Sequence, residues 1–326
     1  MIPPHFIIIK DGKKMTSFIN ALPGAVTQGL IWGIMAIGLF ITYKLLEISD
    51  LTVDGSFCTG GAVCVMMILA GFNPWIAMLG AMVAGMLAGA ITGFFHTKCG
   101  IPAILAGILT QLGLWSVNLA IMGMRSNQAV SVNQYDLLVS MRYLTDVVKG
   151  TRPFYQYPML TVGLVTLGVI LLLYWFFGTE LGASIRATGA NGNMARAQGI
   201  NTNFNKVLGL IIANGLVALS GALLSQYNGF AESNMGRGAI VIGLAAIIIG
   251  EVTFGKLFRN FGLKLLAVSL GSVIYYIVIQ AVISLLDIDS NYLKLISALI
   301  VALFLAVPHW YKGAFGVKKH KAGKEA

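Results

Sequence analysis

The 326-residue chain is 57% hydrophobic and only 10% charged, with a mean hydropathy of +0.82, which excludes an ordinary soluble domain. Its formal net charge of +10 comes from Lys and Arg in segments between apolar runs, so it reflects membrane orientation and gives no reason to invoke nucleic acid. Cys58, Cys64 and Cys99 lack CxxC spacing and an even count, and His5, His96, His309 and His320 are scattered; neither a disulfide framework nor a metal site is expected.

In chain order, residues 1–14 read as a short tail or as an extension before an alternative start at Met15, since the apolar core at 6–9 is too short for a signal peptide and no cleavage site follows. Beyond it the chain reads as one all-α, polytopic membrane domain over residues 15–311, ending in a basic tail at 312–326. Apolar runs of about 20 residues suffice to cross a hydrocarbon core of about 30 Å. They predict about nine transmembrane or re-entrant helices, within a range of eight to ten, near 23–43, 51–71, 74–95, 101–123, 157–178, 206–226, 239–254, 263–286 and 292–307. Gly85, Gly89 and Gly93 recur every fourth residue and line one helix face, which points to close helix packing within the chain ahead of a dimer seam.

Lys312, Lys318, Lys319, Lys321 and Lys324 follow the last span, while Asp287 and Asp289 precede it, so the C-terminus is expected in the cytoplasm. Counting back places the loops at His96 and Lys98, at Arg186 and at Arg259 on the same side, and the polar segment 124–156, with Arg125, Arg142, Lys149 and Arg152, outside. Parity would then put the N-terminus outside, against Lys10, Lys13 and Lys14. A broken or re-entrant 51–71 would return it to the cytoplasm.

Polar residues within spans are costly, a charged one by about 2.5–3.5 kcal/mol on insertion scales, and they often mark function. Asp54 stands before Gly55 and Ser56 and either caps the following helix or serves the translocation path. Gln111, Trp115 and Asn118, four and three residues apart, share a helical face, and Asn214 lies mid-span; interhelical hydrogen bonds and solute contact both account for them. No second intramembrane carboxylate is expected beside Asp54.

The loop 178–205 opens with GTELGASIRATGANGNMARAQGIN. Its pattern predicts two short helices hinged at GANG, Gly189 to Gly192, with Leu181 and Ile185 on one face and Arg186 near its edge. Met194, Ala195, Ala197 and Gln198 belong to the second, which ends at Gly199. Gly182, Ala183 and Ala187 permit close approach to a partner, and Arg186, Arg196 and Glu180 are placed to pair across its rim. The alternative is a positively charged loop that only fixes topology. GEVTFGKL, at 250–257, matches GxxxxGK of a phosphate-binding loop but lacks the final Ser or Thr that would hold magnesium, so it is read as a helix end with Lys256 and Arg259 facing the cytoplasm.

GASIRATGANGNMARAQGIN, with the following LIIANGLVALSGALLSQYNGF and the earlier ISDLTVDGSFCTGGAV, resembles bacterial ABC importer permeases of the branched-chain amino acid and ribose type. It is most similar to amino-acid permeases of the tryptophan and tyrosine type. The resemblance implies a coupling helix in 178–201 that docks into a separate ATP-binding subunit, with Glu180, Gly182, Arg186, Gly189, Asn191, Gly192, Met194, Arg196 and Gly199 as its residues. It further implies an extracytoplasmic substrate-binding protein and a second permease copy in a bacterial cell membrane. No catalysis falls to this chain, and ATP and magnesium belong to the partner ATPase. An ion-gradient-coupled secondary transporter is the rival reading: it would use Asp54 and the Gly-rich break but would leave the ordered loop unexplained.

Overall fold

The computed structural model describes residues 4–148, 153, 156–255, 257–258, 260–286, 295–302 and 304. Lys149, Arg152, Lys256, Arg259, Asp287, Asp289, the basic tail and both ends of the expected span 292–307 lie outside the described residues, as do the side chains of residues 4–14. In order come α1 (Pro4–Phe40), α2 (Val53–Leu69), α3 (Pro74–Thr97), α4 (Ala103–Ile121), β1 (Asn127–Ala129), α5 (Met141–Val148), α6 (Pro158–Gly178), α7 (Glu180–Ala190), α8 (Gly192–Ala197), α9 (Thr202–Asn228), β2 (Phe230–Glu232), α10 (Ala239–Phe254) and α11 (Phe261–Leu286). Residues 295–302 are helical as well.

The all-α, polytopic expectation holds, and the spans sort by length. Six helices among the described residues are long and apolar enough to cross a membrane: the 18–45 part of α1 with its π-helical end, then α3, α4, α6, α9 and α11. With 17 and 16 residues, α2 and α10 reach only about 25 Å at 1.5 Å per residue, less than the bilayer core. The expected span 51–71 is not itself broken, since α2 runs through Gly55, Gly60 and Gly61; the irregular segment lies before it, where α1 ends in a π turn at Ile41–Leu45 and the chain passes Glu47 at φ 55°. Helix α1 itself starts at Pro4, so the segment read as a tail is helical from there.

Two central helices, α9 and the part of α1 from Ala25 onward, are largely buried, whereas α4 and α6 lie at the rim. Lipid tails are as apolar as leucine, so no hydrophobic drive holds such helices together; backbone proximity and hydrogen bonds must do so. The α3 glycines supply that proximity. A Cβ at Gly85 or Gly89 would run into backbone carbonyls of α9 at Asn214 and Leu210, and one at Gly93 would press on Val207, which bears out packing within the chain. The opposite face of α3 carries exposed Leu79, Val83, Leu87, Ile91 and Phe94.

The segment 124–156 differs from a plain external loop. Its β1 pairs antiparallel with β2, Asn127 opposite Glu232, forming the short two-stranded sheet that adds to the helices. Val130 N donates to Gly229 O at 2.8 Å, Leu138 N donates to Gln226 Oε1 at 3.1 Å, and Leu137, Val139 and Tyr143 are buried. These alternating apolar residues seat the segment on the end of α9, where unpaired backbone groups would otherwise be left.

Candidate functional site: a polar pocket and an ordered end loop

The loop between α6 and α9 forms the two expected helices, each with a side-chain cap at its amino end. Thr179 Oγ1 accepts from Gly182 N at 3.4 Å at the start of α7. Asn191 Oδ1 accepts from Met194 N at 3.0 Å for α8, and Asn201 Oδ1 from Phe204 N at 3.1 Å for α9, each satisfying an orphan donor. Asn191, extended at φ −158°, is the hinge, and Gly199 at φ 81° ends the second turn. Asn205 Nδ2 ties α7 to α9 by donating to Ser184 Oγ at 2.6 Å and Thr188 Oγ1 at 2.8 Å. Arg196 Nη2 donates to Thr202 Oγ1 at 3.3 Å.

Several loop residues sit differently from the expectation. Gly182 faces inward, where a Cβ would meet the Phe176 carbonyl and Phe177 backbone, and Gly189 lies against the Leu45 carbonyl. Both therefore serve close approach inside the chain, and Gly189 belongs to α7. Gly192 has open space around it. Ile185 is buried but Leu181 is exposed, so the two do not share a buried face. Among the described residues Glu180 pairs with neither arginine; Lys44 instead pairs with Glu251 at 3.0 Å, and the Arg186 guanidinium lies 5.9 Å from the Phe261 ring centre. What remains outward is a stripe of small residues, Ala183, Ala187 and Ala190, leading to Met194, 63% exposed. Residues 250–254 of the GxxxxGK match are helical, with Gly250 packed on Ala267; those five residues do not form a phosphate cradle.

Four of the five residues expected along the path line one cavity of about 170 Å³: Asp54, Gln111, Trp115 and Asn118. Asn234 and Arg237, from the turn before α10, complete its wall. Asp54 does cap a helix, but a distant one. Its Oδ2 accepts from Gly238 N at 3.1 Å and its Oδ1 from Ile240 N at 3.2 Å, so a carboxylate in the first turn of α2 neutralises the amino end of α10. Asp54→Ala is expected to cost about 1–2 kcal/mol and lower Tm by several degrees, with Asp54→Asn, which keeps an acceptor, falling between; a Tm series by differential scanning fluorimetry checks the order.

Asn214 stands apart from the pocket. Its Nδ2 donates to Asp50 Oδ2 at 2.7 Å and its Oδ1 accepts from Ser56 Oγ at 2.7 Å. Asp50, 3% exposed, also accepts from Thr52 N at 2.9 Å. This second buried carboxylate corrects the expectation that Asp54 stands alone; Asp50 lies in the break before α2, just outside the apolar run in which polar residues were sought. Removing the amide would leave a buried carboxylate short of a donor. Asn214→Leu is therefore expected to destabilise the bundle by about 3 kcal/mol or more, measured as lost Tm, whereas Asn214→Gln should cost less.

Apolar helices around a polar cavity, with an ordered helical pair at one end, define a polytopic membrane transport protein. The chain belongs to the family described as branched-chain amino acid transport system / permease component, whose model matches residues 22–308. It is similar to a tyrosine transport system permease protein of Clostridioides difficile (strain R20291), 35% identical over 297 residues, covering 88% of this chain and 91% of that relative. It is also similar to a galactofuranose transporter permease protein of Escherichia coli (strain K12), 27% identical and covering 77% of this chain and 69% of that protein. An autoinducer 2 import system permease protein of Yersinia pestis (strain Pestoides F) is 29% identical over 68% of this chain and 59% of its own length.

Proposed function

We propose that the chain is the membrane-spanning permease subunit of an ATP-binding cassette importer, forming the path for a small solute, an amino acid of the aromatic kind, a reading supported by its likeness to a tyrosine transport system permease protein. ATP and magnesium are handled by a separate ATP-binding subunit, an extracytoplasmic binding protein delivers the solute, and two permease copies face each other around the path. The C-terminus lies in the cytoplasm. The observation that carries this reading is the α7–α8 pair. It is capped at Thr179 and Asn191 and tied to α9 through Asn205, yet it keeps the Ala183, Ala187, Ala190 and Met194 stripe uncovered. A loop needed only for topology would not require that order, whereas a coupling element that transmits ATP-driven movement must be stiff.

An ion-coupled transporter is the second reading, and Asp50 is the observation that favours it. Both Asp50 oxygens accept fixed hydrogen bonds, an arrangement that suits a structural acceptor better than an exchanging ion site. Tagging the C-terminus, solubilising native membranes gently and identifying co-purifying proteins by mass spectrometry tests the proposal. An ATP-binding subunit is the expected companion; reproducible isolation of the chain alone in several mild detergents would overturn it.

A further inference from the structure

We infer that the recess where α6, α7 and α11 meet is a binding site for an anionic phospholipid, with Arg186 holding the phosphate and the outer face of α6 carrying an acyl chain. The inference rests on the membrane-spanning helices and is independent of what the chain transports or what drives it.

Position comes first. The recess, of about 390 Å³, is lined by Tyr174, Trp175 and Phe177 near the end of α6, by Thr179 in the cap, by Arg186 of α7 and by Phe261 of α11. Helix α6 ends at Gly178 and α11 begins at Phe261, and both are long and apolar enough to span a bilayer. The recess therefore lies where hydrocarbon gives way to headgroups. Trp175 is 71% exposed and Tyr174 is exposed too, and these are the rings that settle at that depth. Leu164, Leu167 and Leu171 are exposed as well and stand in line with Trp175 at helical spacing, so one apolar track runs along α6 into the recess. A soluble subunit does not reach down such a track; a lipid chain does.

Chemistry selects the headgroup. Arg186 has no carboxylate partner among the described residues, and no Asp or Glu is among the side chains that line the recess. Helical spacing sets Arg186 at the edge of α7, between inward Gly182 and outward Ala183, and its contact with the Phe261 ring uses none of its five N–H donors. Trp175 adds an indole donor. The Thr179 hydroxyl is already spent, donating to Phe176 O at 2.6 Å and accepting from Gly182 N. One fixed positive charge among donors calls for an anion rich in acceptors, and phosphate meets a guanidinium with two parallel hydrogen bonds. A choline headgroup would bring a second cation beside Arg186 with no acid in the lining to receive it; a glycerol headgroup brings none. Because three elements contribute to the recess, the bound phosphate braces α7 against α6 and α11, a role for Arg186 separate from the Ala183, Ala187 and Ala190 stripe.

Trp175 reports its own site. The chain and its Trp175→Phe variant are reconstituted in bilayers of phosphatidylcholine or phosphatidylglycerol with brominated acyl chains, and the difference in fluorescence quenching between the two gives the lipid contact at Trp175. Phosphatidylglycerol is expected to bind there about fivefold more tightly than phosphatidylcholine, the equivalent of about 1 kcal/mol for one arginine at an anionic headgroup. Arg186→Gln, made with and without Trp175→Phe, should remove the preference, and Arg186→Lys, which keeps the charge without the fork, should retain part of it. Arg196→Gln should leave it unchanged, because that side chain bonds Thr202 elsewhere. Inorganic phosphate added to the buffer should not displace the lipid.

No preference in the unaltered chain, or a preference that survives Arg186→Gln, overturns the inference. Tighter phosphatidylcholine does so too, by showing that the rings hold choline, and so does displacement by inorganic phosphate, which would make the site one for a free anion. Absence of quenching at Trp175 would show a second protein chain covering α6, with the same consequence. Tm in phosphatidylcholine alone checks that each variant is folded; if Arg186→Gln is not, an undiminished preference in Arg186→Lys overturns the fork. None of these readouts needs an ATPase or a solute, so the importer reading stands or falls by co-purification alone.

Discussion

Gly60→Val is expected to destabilise the folded bundle severely, whereas Gly168→Val, the same exchange on another span, should be almost silent. At Gly60 in α2 a Cβ would fall on the Ala218 carbonyl of α9, and at Gly221 of α9 it would fall on the Phe57 carbonyl of α2. Main chain meets main chain in both directions, so no flexible side chain can yield. The helices must part, and parting breaks the neighbouring Ser56–Asn214 bond and the packing of Gly61 against Met235. Overpacking a well-filled site costs typically 1–3 kcal/mol, and a backbone clash belongs at the upper end, on the order of 3 kcal/mol. Gly168 on α6 has nothing within 4 Å, so a β-branched side chain there changes only propensity, by a few tenths of a kcal/mol. Thermal melts followed by monodispersity on size-exclusion chromatography separate the two; equal losses would show that helix propensity, and not the α2–α9 seam, sets stability.

Ala187→Trp should give the opposite pattern, a folded chain that has lost its partner. Ala187 is on the outward stripe of α7, so a large side chain meets no neighbour in the chain but fills the face offered for docking. A loss of about 2 kcal/mol, the size of an interface hot spot, weakens association roughly 30-fold. The expected result is unchanged yield and Tm, an ATP-binding subunit missing from the purified complex, and solute uptake reduced at least tenfold. Retained complex and normal uptake would remove this face from the coupling interface. Gly182→Trp is a poorer test, because its side chain would strike the Phe177 backbone and misfold the turn. Arg186→Glu should also impair uptake, but it breaks the contact with Phe261 and so mixes bracing with docking.

The contrast between Gly182 and Ala187 shows where sequence reasoning reached and where it stopped. Both are small residues in one loop, and spacing alone made either suitable for a partner. Which one faces the bundle depends on the angle at which α7 leaves α6, and Thr179 sets that angle only in three dimensions. The path residues show the same division. Gln111, Trp115 and Asn118 could be grouped because a helix puts residues three and four apart on one face. Asn234 and Arg237 could not be added, since more than a hundred residues separate them from α4 and nothing in a turn's composition announces which cavity it closes.

By itself the sequence determined that the chain crosses a membrane repeatedly, that α3 offers a glycine face for another helix, and that an ordered loop of two short helices interrupts the spans. Those are local properties: transfer free energy summed over about 20 residues, helical periodicity and capping chemistry. Tertiary structure alone decided that α9 is the hub, that Asp54 caps α10 and not its own helix, that Asp50 is buried against Asn214, and that Asn234 and Arg237 join the α4 residues around one cavity. In a bundle whose spans are apolar all round, the pattern cannot say which face meets lipid and which meets protein. Backbone approach and hydrogen-bond pairing between distant segments make that choice, and both exist only once the helices have come together.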